Sequence, residues 1–431
     1  MHDETLAIHG GYTADSTGAA AVPIYQTVAH EFIDADHASA IMDLETKGFH
    51  YNRINNPTVD VLEQRLTALE GGVAAMAVSS GAAAVSMSIL NLLSAGDNLV
   101  SVPQLYGATY TYFAHVLPRM GIEVRFAADD RPESIAALID GRTKAVYCET
   151  VGNPAGNVID LEAVADVAHE RGVPLIADNT VATPLLLKPI EHGADVVIHS
   201  LTKFIGGHGT TLGGIIIDAG KFPWGDQPER FGCLIEPEPA FHGVQYVSQF
   251  PDCPYITRCR TIGQRSTGSS LSPFNAFLLL QGLETLAVRL PRHEANARAV
   301  ADYLVQDPRV AWVSFLGLPD NPYRSLARRY LGERVPSIMT FAVHGGYQAG
   351  ISVFDRVKLF KRLLNMGDAK SMITHPASTT HRQLTPTDLE RVGVTSDMVR
   401  LSIGLEHPDD LIEDLDHALS ADLDQALPAA A

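Results

Sequence analysis

Cysteine is scarce in this chain, with Cys148, Cys233, Cys253 and Cys259 the only four among 431 residues. Thiols so few and so irregularly spaced make neither a disulfide framework nor a Cys-x-x-Cys zinc site, so a reducing compartment is expected. Basic residues are also in deficit. With 32 Lys and Arg against 50 Asp and Glu, the formal net charge is −18, which repels nucleic acid and anionic membrane on average and excludes both as the main partner. Long apolar runs are missing too. The stretch 82–93 is interrupted by Ser86, Ser88 and Asn91 and falls short of the ~20 residues that span a bilayer. The opening MHDETLAIHGGYTAD carries acid where a secretory leader needs a basic and then an apolar stretch. A cytoplasmic location is therefore expected.

What is present suits a globular chain large enough for two or three packed units, at 46% hydrophobic and 19% charged. Apolar spacing predicts helices over 59–70, 134–139 and 161–171 and short strands over 98–102, 144–148, 174–177, 196–200 and 213–217. Short apolar strands alternating with amphipathic helices specify an α/β fold, a mostly parallel sheet covered on both faces. Ligands of such sheets sit beyond the carboxyl ends of the strands. That directs attention to Tyr106, 149–154, 178–180 and 200–203. From 220 to 263 the pattern breaks into Pro- and aromatic-rich sequence, read as an insertion with its own packing and a possible place at the site entrance. Periodicity resumes at Ser272 in a long linking helix, with further strands at 337–343 and 399–403. The expected division is an N-terminal arm over 1–60, a large domain over 61–280 and a C-terminal domain over 281–431, with the terminal ALPAAA fraying.

The segment DVVIHSLTKFIGGHG at 195–209 is the richest in chemistry. A strand delivers Ser200 and Thr202 beside Lys203, and a glycine-rich turn follows. Hydroxyls can donate to phosphate oxygens while a desolvated amine forms an imine with an aldehyde. That is how pyridoxal phosphate is held. Taken alone, Lys203 would be an ordinary surface lysine, but Asp178 ends the strand PLIAD and is followed by Asn179 and Thr180. A carboxylate there would keep a pyridine nitrogen protonated so that the ring draws electrons. Ser79-Ser80-Gly81-Ala82 opens an apolar helix, whose first-turn N–H groups and dipole suit a dianion. An ordinary Ser N-cap is the plainer reading of the same residues.

In order along the chain stand PIYQT at 23–27, YNRINNPT at 51–58, ALEGG at 68–72, SSGAAA, LYGATY at 105–110, ETVGNPAG at 149–156, ADNTVATP at 177–184 and the lysine segment. Together these resemble the Cys/Met-metabolism family of pyridoxal-phosphate enzymes, which includes cystathionine synthases and lyases, methionine γ-lyase and homoserine-ester sulfhydrylases. The resemblance implies fold type I: a mostly parallel seven-stranded sheet and a smaller α+β C-terminal domain. It implies that Lys203 carries the cofactor as an imine and moves protons, that Asp178 pairs with the pyridine nitrogen, that Tyr106 stacks on the ring and that Asn153 reaches the ring hydroxyl. Gly81, Ala82, Ser200 and Thr202 would hold the phosphate, with Thr180 also on the cofactor side. Tyr51 and Arg53 would join them from a neighbouring subunit of a homotetramer. Arg400 would clamp the substrate carboxylate bidentately, near Asn365. Without the family, Arg400 reads as a surface arginine on an edge strand.

Three features favour a sulfhydrylase within the family. The segment 367–384 resembles those enzymes, the 220–263 insertion is similar to one they carry, and position 108 is Ala rather than the reactive Cys of methionine lyases. Ala108 and Val181 depart from common sulfhydrylase residues and leave the acyl preference open. The implied reaction joins O-acetyl-L-homoserine and sulfide, or methanethiol, in a γ-replacement that yields L-homocysteine and acetate in the first case. An O-succinyl ester, a C–S lyase reaction and a non-catalytic protein on the same fold are the alternatives. No metal is expected, because His199, His208, His375 and His381 lack paired spacing and read as structural.

Overall fold

The computed structural model describes residues 1–420 except 155, 383, 386–388 and 390–391. The ALPAAA tract lies outside the described residues, as do Ala155 and Gln383 of two of the motifs above. Twelve strands build two sheets. In chain order the first sheet contains β1 (Ala74–Val78), β2 (Asn98–Ser101), β3 (Glu123–Phe126), β4 (Thr143–Glu149), β5 (Leu175–Asp178), β6 (Val196–Ser200) and β7 (Gly214–Asp218). Their spatial order is β1-β7-β6-β5-β4-β2-β3. The five strands from β6 to β3 run parallel, while β7 is antiparallel to both β1 and β6. The fold is thus the mostly parallel α/β sheet expected.

Helices cover the sheet because their apolar faces have nowhere else to go. Helix α1 (Pro57–Glu70) buries Leu62, Leu66 and Leu69; Asn56 caps it and Pro57 supplies the preset φ of a first helical residue. Helix α2 (Gly81–Leu90) begins directly after β1, capped by Ser80 through the Ala83 N–H at 3.1 Å. Helix α3 (Leu161–His169) is capped by Asp160 and turns Leu161, Val164, Ala165 and Ala168 inward. The linking helix expected from Ser272 is two helices, α4 (Pro273–Glu284) and α5 (Leu286–Gln306), divided at Thr285. Beyond them lies the second sheet, of β8 (Val310–Ser314), β9 (Ile338–Val343), β10 (Lys361–Arg362), β11 (Met372–Thr374) and β12 (Val399–Ser402), ordered β10-β11-β12-β9-β8.

Two parts of the sequence reading change here. Strands β1 and β3 were not anticipated: β1 reads AAMAV, a run of good helix formers, and is a strand because it pairs with β7 over five residues. The 220–263 stretch is no bare loop. It holds the short helices Gly232–Ile235, Tyr246–Gln249 and Pro254–Arg258 around an aromatic knot in which Trp224 stacks on Tyr255, centroids 5.4 Å apart, with Phe222 and Phe231 edge-on. Arg260 ties it to the body by a 2.6 Å ion pair with Glu63. No helix among the described residues is long and apolar enough to cross a membrane.

Candidate active site

A cavity of about 410 Å³ opens beyond the carboxyl ends of β4, β5 and β6, where a parallel sheet of this kind places its ligands. One wall is made by strand ends. Asp178, the last residue of β5, is half-buried; Oδ1 accepts from the Thr180 N–H at 3.0 Å and its hydroxyl at 2.5 Å, and Oδ2 lies 3.4 Å from the Tyr147 hydroxyl. Burial raises its pKa, and the Thr180 hydrogen bonds oppose the rise. The same Thr180 hydroxyl accepts from the Ser200 N–H at 2.8 Å, so the ends of β5 and β6 are laced together.

The next surface is the first turn of α2. Gly81 lies so close to the end of β6 that a Cβ there would fall 2.5 Å from Cβ of Ser200. Glycine is what lets the helix N-terminus, with its free N–H groups, meet the Ser200 hydroxyl in one concave cup lined also by Ala82. Such a cup suits a phosphate dianion.

Lys203 enters from the turn after β6. Its Nζ donates to Asn365 Oδ1 at 2.7 Å, and burial, aided by the positive Arg400, lowers its pKa to about 8. The amine is therefore held closer to its neutral, nucleophilic form than an exposed lysine. Arg400 comes from β12, the central strand of the second sheet and not an edge strand. It is buried, with Nη1 donating to Asn153 Oδ1 at 3.1 Å and Nη2 to the Asn365 carbonyl at 2.8 Å and the Thr374 hydroxyl at 3.1 Å. Nε is buried and has no partner among the described residues. Asn365 thus bridges Lys203 and Arg400, a finer arrangement than its expected place near the carboxylate. Tyr106 lines the same space with its ring accessible, as do Ala108 and Val181.

Three of the expected residues do not line this chain's own cavity, and for Tyr51 and Arg53 the expected place is a neighbouring subunit's cup. The Thr202 hydroxyl is engaged by Gly213, accepting its N–H at 3.1 Å, and does not reach the cavity wall. Tyr51 is exposed, and the Arg53 guanidinium lies over its ring at 5.3 Å while donating to the Arg265 carbonyl. Within one chain these two residues do not enter the cup. Nor does any residue of 220–263 line the cavity, so the insertion packs behind the site and not at its mouth in this chain. His199 is structural, bonded to Glu70 at 2.6 Å with both side chains buried. Glu149, at the end of β4, lines the cavity without having been assigned a role from sequence; its position at a strand end was the available signal.

The cup, the lowered amine and the acid at the strand end fit pyridoxal phosphate. Comparison with known proteins agrees. Residues 4–420 match the profile described as Cys/Met metabolism PLP-dependent enzyme. Over 420 residues the chain is 47% identical to a homocysteine synthase of Schizosaccharomyces pombe, covering 97% of this chain and 98% of that one. It is 45% identical over 423 residues to O-acetyl-L-homoserine sulfhydrylase 1 of Thermus thermophilus, covering 97% and 100%. A solved Campylobacter jejuni structure, described as a candidate O-acetylhomoserine (thiol)-lyase with a pyridoxyl-lysine monophosphate, superposes with a TM-score of 0.94 at 40% identity, covering 98% of this chain and 100% of that one.

Proposed function

The chain belongs to the family of Cys/Met metabolism PLP-dependent enzymes, and from that premise we infer its reaction: O-acetyl-L-homoserine and sulfide give L-homocysteine and acetate. It is a pyridoxal-phosphate enzyme of γ-replacement, acting on small molecules. When bound, the cofactor supplies an aldehyde that takes an amino group covalently and a protonated ring that withdraws electrons from Cα. The chain's own residues do the rest. Arg400 receives the substrate α-carboxylate through its spare donors, steadied by Asn153, Asn365 and Thr374. Lys203 takes the proton from Cα and then one from Cβ. The Cγ–O bond breaks with departure of acetate, a Cγ–S bond forms, and Lys203 returns the protons. Asp178 would hold the positive ring nitrogen, Tyr106 would cover the ring face, and Gly81, Ala82 and Ser200 would receive the phosphate.

The observation that carries this reading is the Lys203–Asn365–Arg400 bridge, which places a base and a carboxylate clamp on opposite sides of one residue. The charge inventory supports the acetyl ester: among the described residues Lys203 and Arg400 are the two cations on the cavity wall, and both are committed. A succinyl carboxylate would find no third cation on the described cavity wall. The test is to incubate the purified protein with each ester and with sulfide or methanethiol and identify products by mass. Homocysteine from the acetyl ester and sulfide is expected; ammonia release from cystathionine or methionine outrunning it would overturn the reading.

We further propose a homotetramer in which Tyr51 and Arg53 of one subunit complete a neighbour's phosphate cup. Exposed apolar side chains on the arm, Val28 at 66% and Ile33 at 81%, support a face against another copy. A charge-assisted bond to phosphate is worth about 1.5–3 kcal/mol. Mixing Arg53→Ala with Lys203→Ala should therefore yield oligomers more active than either parent, and no complementation despite confirmed exchange would refute sharing. The free, scattered cysteines support a reducing compartment, for which we propose the cytoplasm.

A further inference from the structure

Glu149 has no part in the reaction described above, yet it sits at the centre of the cofactor wall. It is the last residue of β4 and the register partner of Asp178 on β5. Side chains at paired positions of neighbouring parallel strands share a face and stand about 5 Å apart, so a buried and a half-buried carboxyl lie side by side. Glu149 is 6% exposed, and both residues line the cavity.

Its hydrogen bonds run to two different loops. Oε1 accepts the Tyr106 N–H at 2.6 Å, and the carboxyl also accepts the Asn153 N–H. Tyr106 belongs to the segment after β2, and Asn153 to the segment after β4. One carboxyl thus fixes the backbone of the residue that covers the ring and of the residue that meets both the ring hydroxyl and Arg400.

The two acids are not provided for alike. Asp178 receives a hydroxyl and an N–H from Thr180 and faces the Tyr147 hydroxyl, besides the cationic ring nitrogen it would meet. Among the described residues no Lys, Arg or His forms an ion pair with Glu149. Two neighbouring buried carboxylates cannot both ionise without a large repulsion, and the better-solvated one keeps the charge. Burial and the nearby Asp178 raise the Glu149 pKa, and they outweigh the two backbone N–H bonds, which act to lower it.

We propose that Glu149 is a positioning residue that works as a neutral, protonated carboxyl, suspending Tyr106 and Asn153 from one acceptor while leaving Asp178 the charged acid at the ring nitrogen. The proposal rests on the cofactor site alone, whichever ester or thiol reacts. The holoenzyme and its E149Q and E149A variants test it. Infrared difference spectra of the holoenzyme should show a protonated-carboxyl stretch that persists above pH 8 and is absent from E149Q. E149A, losing both acceptors, should raise the cofactor dissociation constant at least about tenfold, and E149Q should restore most of that loss. E149Q should also leave unchanged the pH at which the cofactor's visible band titrates. Absence of the infrared band, or a shift of that titration by about a unit in E149Q, would show an ionised Glu149 and overturn the proposal. Cofactor held as tightly by E149A as by the parent would overturn the positioning role, and E149Q can be read even if E149A does not fold.

Discussion

Buried carboxyl groups occur at both ends of the seven-stranded sheet, and they do different things. At the carboxyl ends of β4 and β5 stand Glu149 and Asp178. At the other end, Asp195 precedes β6 and Asp218 closes β7, at 3% and 1% exposure. Burial raises the pKa of all four. The difference is in what surrounds them. Asp195 is absorbed by the Leu175 N–H at 2.8 Å and His169 at 2.7 Å, and Asp218 by the Gly220 N–H at 2.9 Å, with its Oδ2 left unpartnered among the described residues. Lys221 and His169 line a pocket with Asp195, but among the described residues no guanidinium joins them there, so the combination on the cavity wall is not repeated. A buried acid with a raised pKa marks a cost, and only convergence of unlike groups marks a site.

Three experiments sharpen or break this contrast. The largest effect is expected from Lys203→Ala, which should lower turnover at least about 10⁴-fold with little change in melting temperature; equal loss of stability would mean that the carboxyl end is as structural as the other. Asp218→Asn should do the reverse. Burial lifts the folded-state value to about 7 from the ordinary 3.8, so the folded chain binds this proton more tightly than the unfolded chain does. Its contribution is full below about pH 4 and is lost as pH rises to about 7, a fall of up to about 4 kcal/mol. Denaturant titrations across that window should show the Asn variant lacking this slope, with turnover retained. An unchanged slope would count against the buried proton. Smallest is Arg400→Lys, which keeps the charge and loses the fork. It should reduce kcat/KM about a hundredfold, mainly through KM, while the cofactor band stays in place. A tenfold or smaller loss would show that the clamp needs only charge.

Most of the cofactor wall was legible because its residues are local to strand ends: Asp178 ends PLIAD, and Lys203 comes three residues after VVIHS. The arm was placed by resemblance and Thr202 by its position beside Lys203, and within one chain the structure puts both outside the cavity. What escaped was non-local. Glu149 acts on Tyr106, which is 43 positions away in the chain, and no periodicity announces a carboxyl meeting a distant N–H. Arg400 alone read as a surface residue because a single charged position in a strand looks the same at an edge as in the centre. The helical composition of β1 was overridden by pairing with β7, a tertiary contact that local propensity does not contain.

The knot in the 220–263 region also divides the chain's two indoles between distant packing environments. Trp224 is stacked flat on Tyr255, whereas Trp312 lies on β8 of the second sheet. With Trp312 replaced by Phe, fluorescence would follow the insertion alone, and with Trp224 replaced it would follow the second sheet. The molecule thus carries its own pair of optical reporters, and a difference between their denaturation midpoints would reveal whether the two parts melt as one body or in turn.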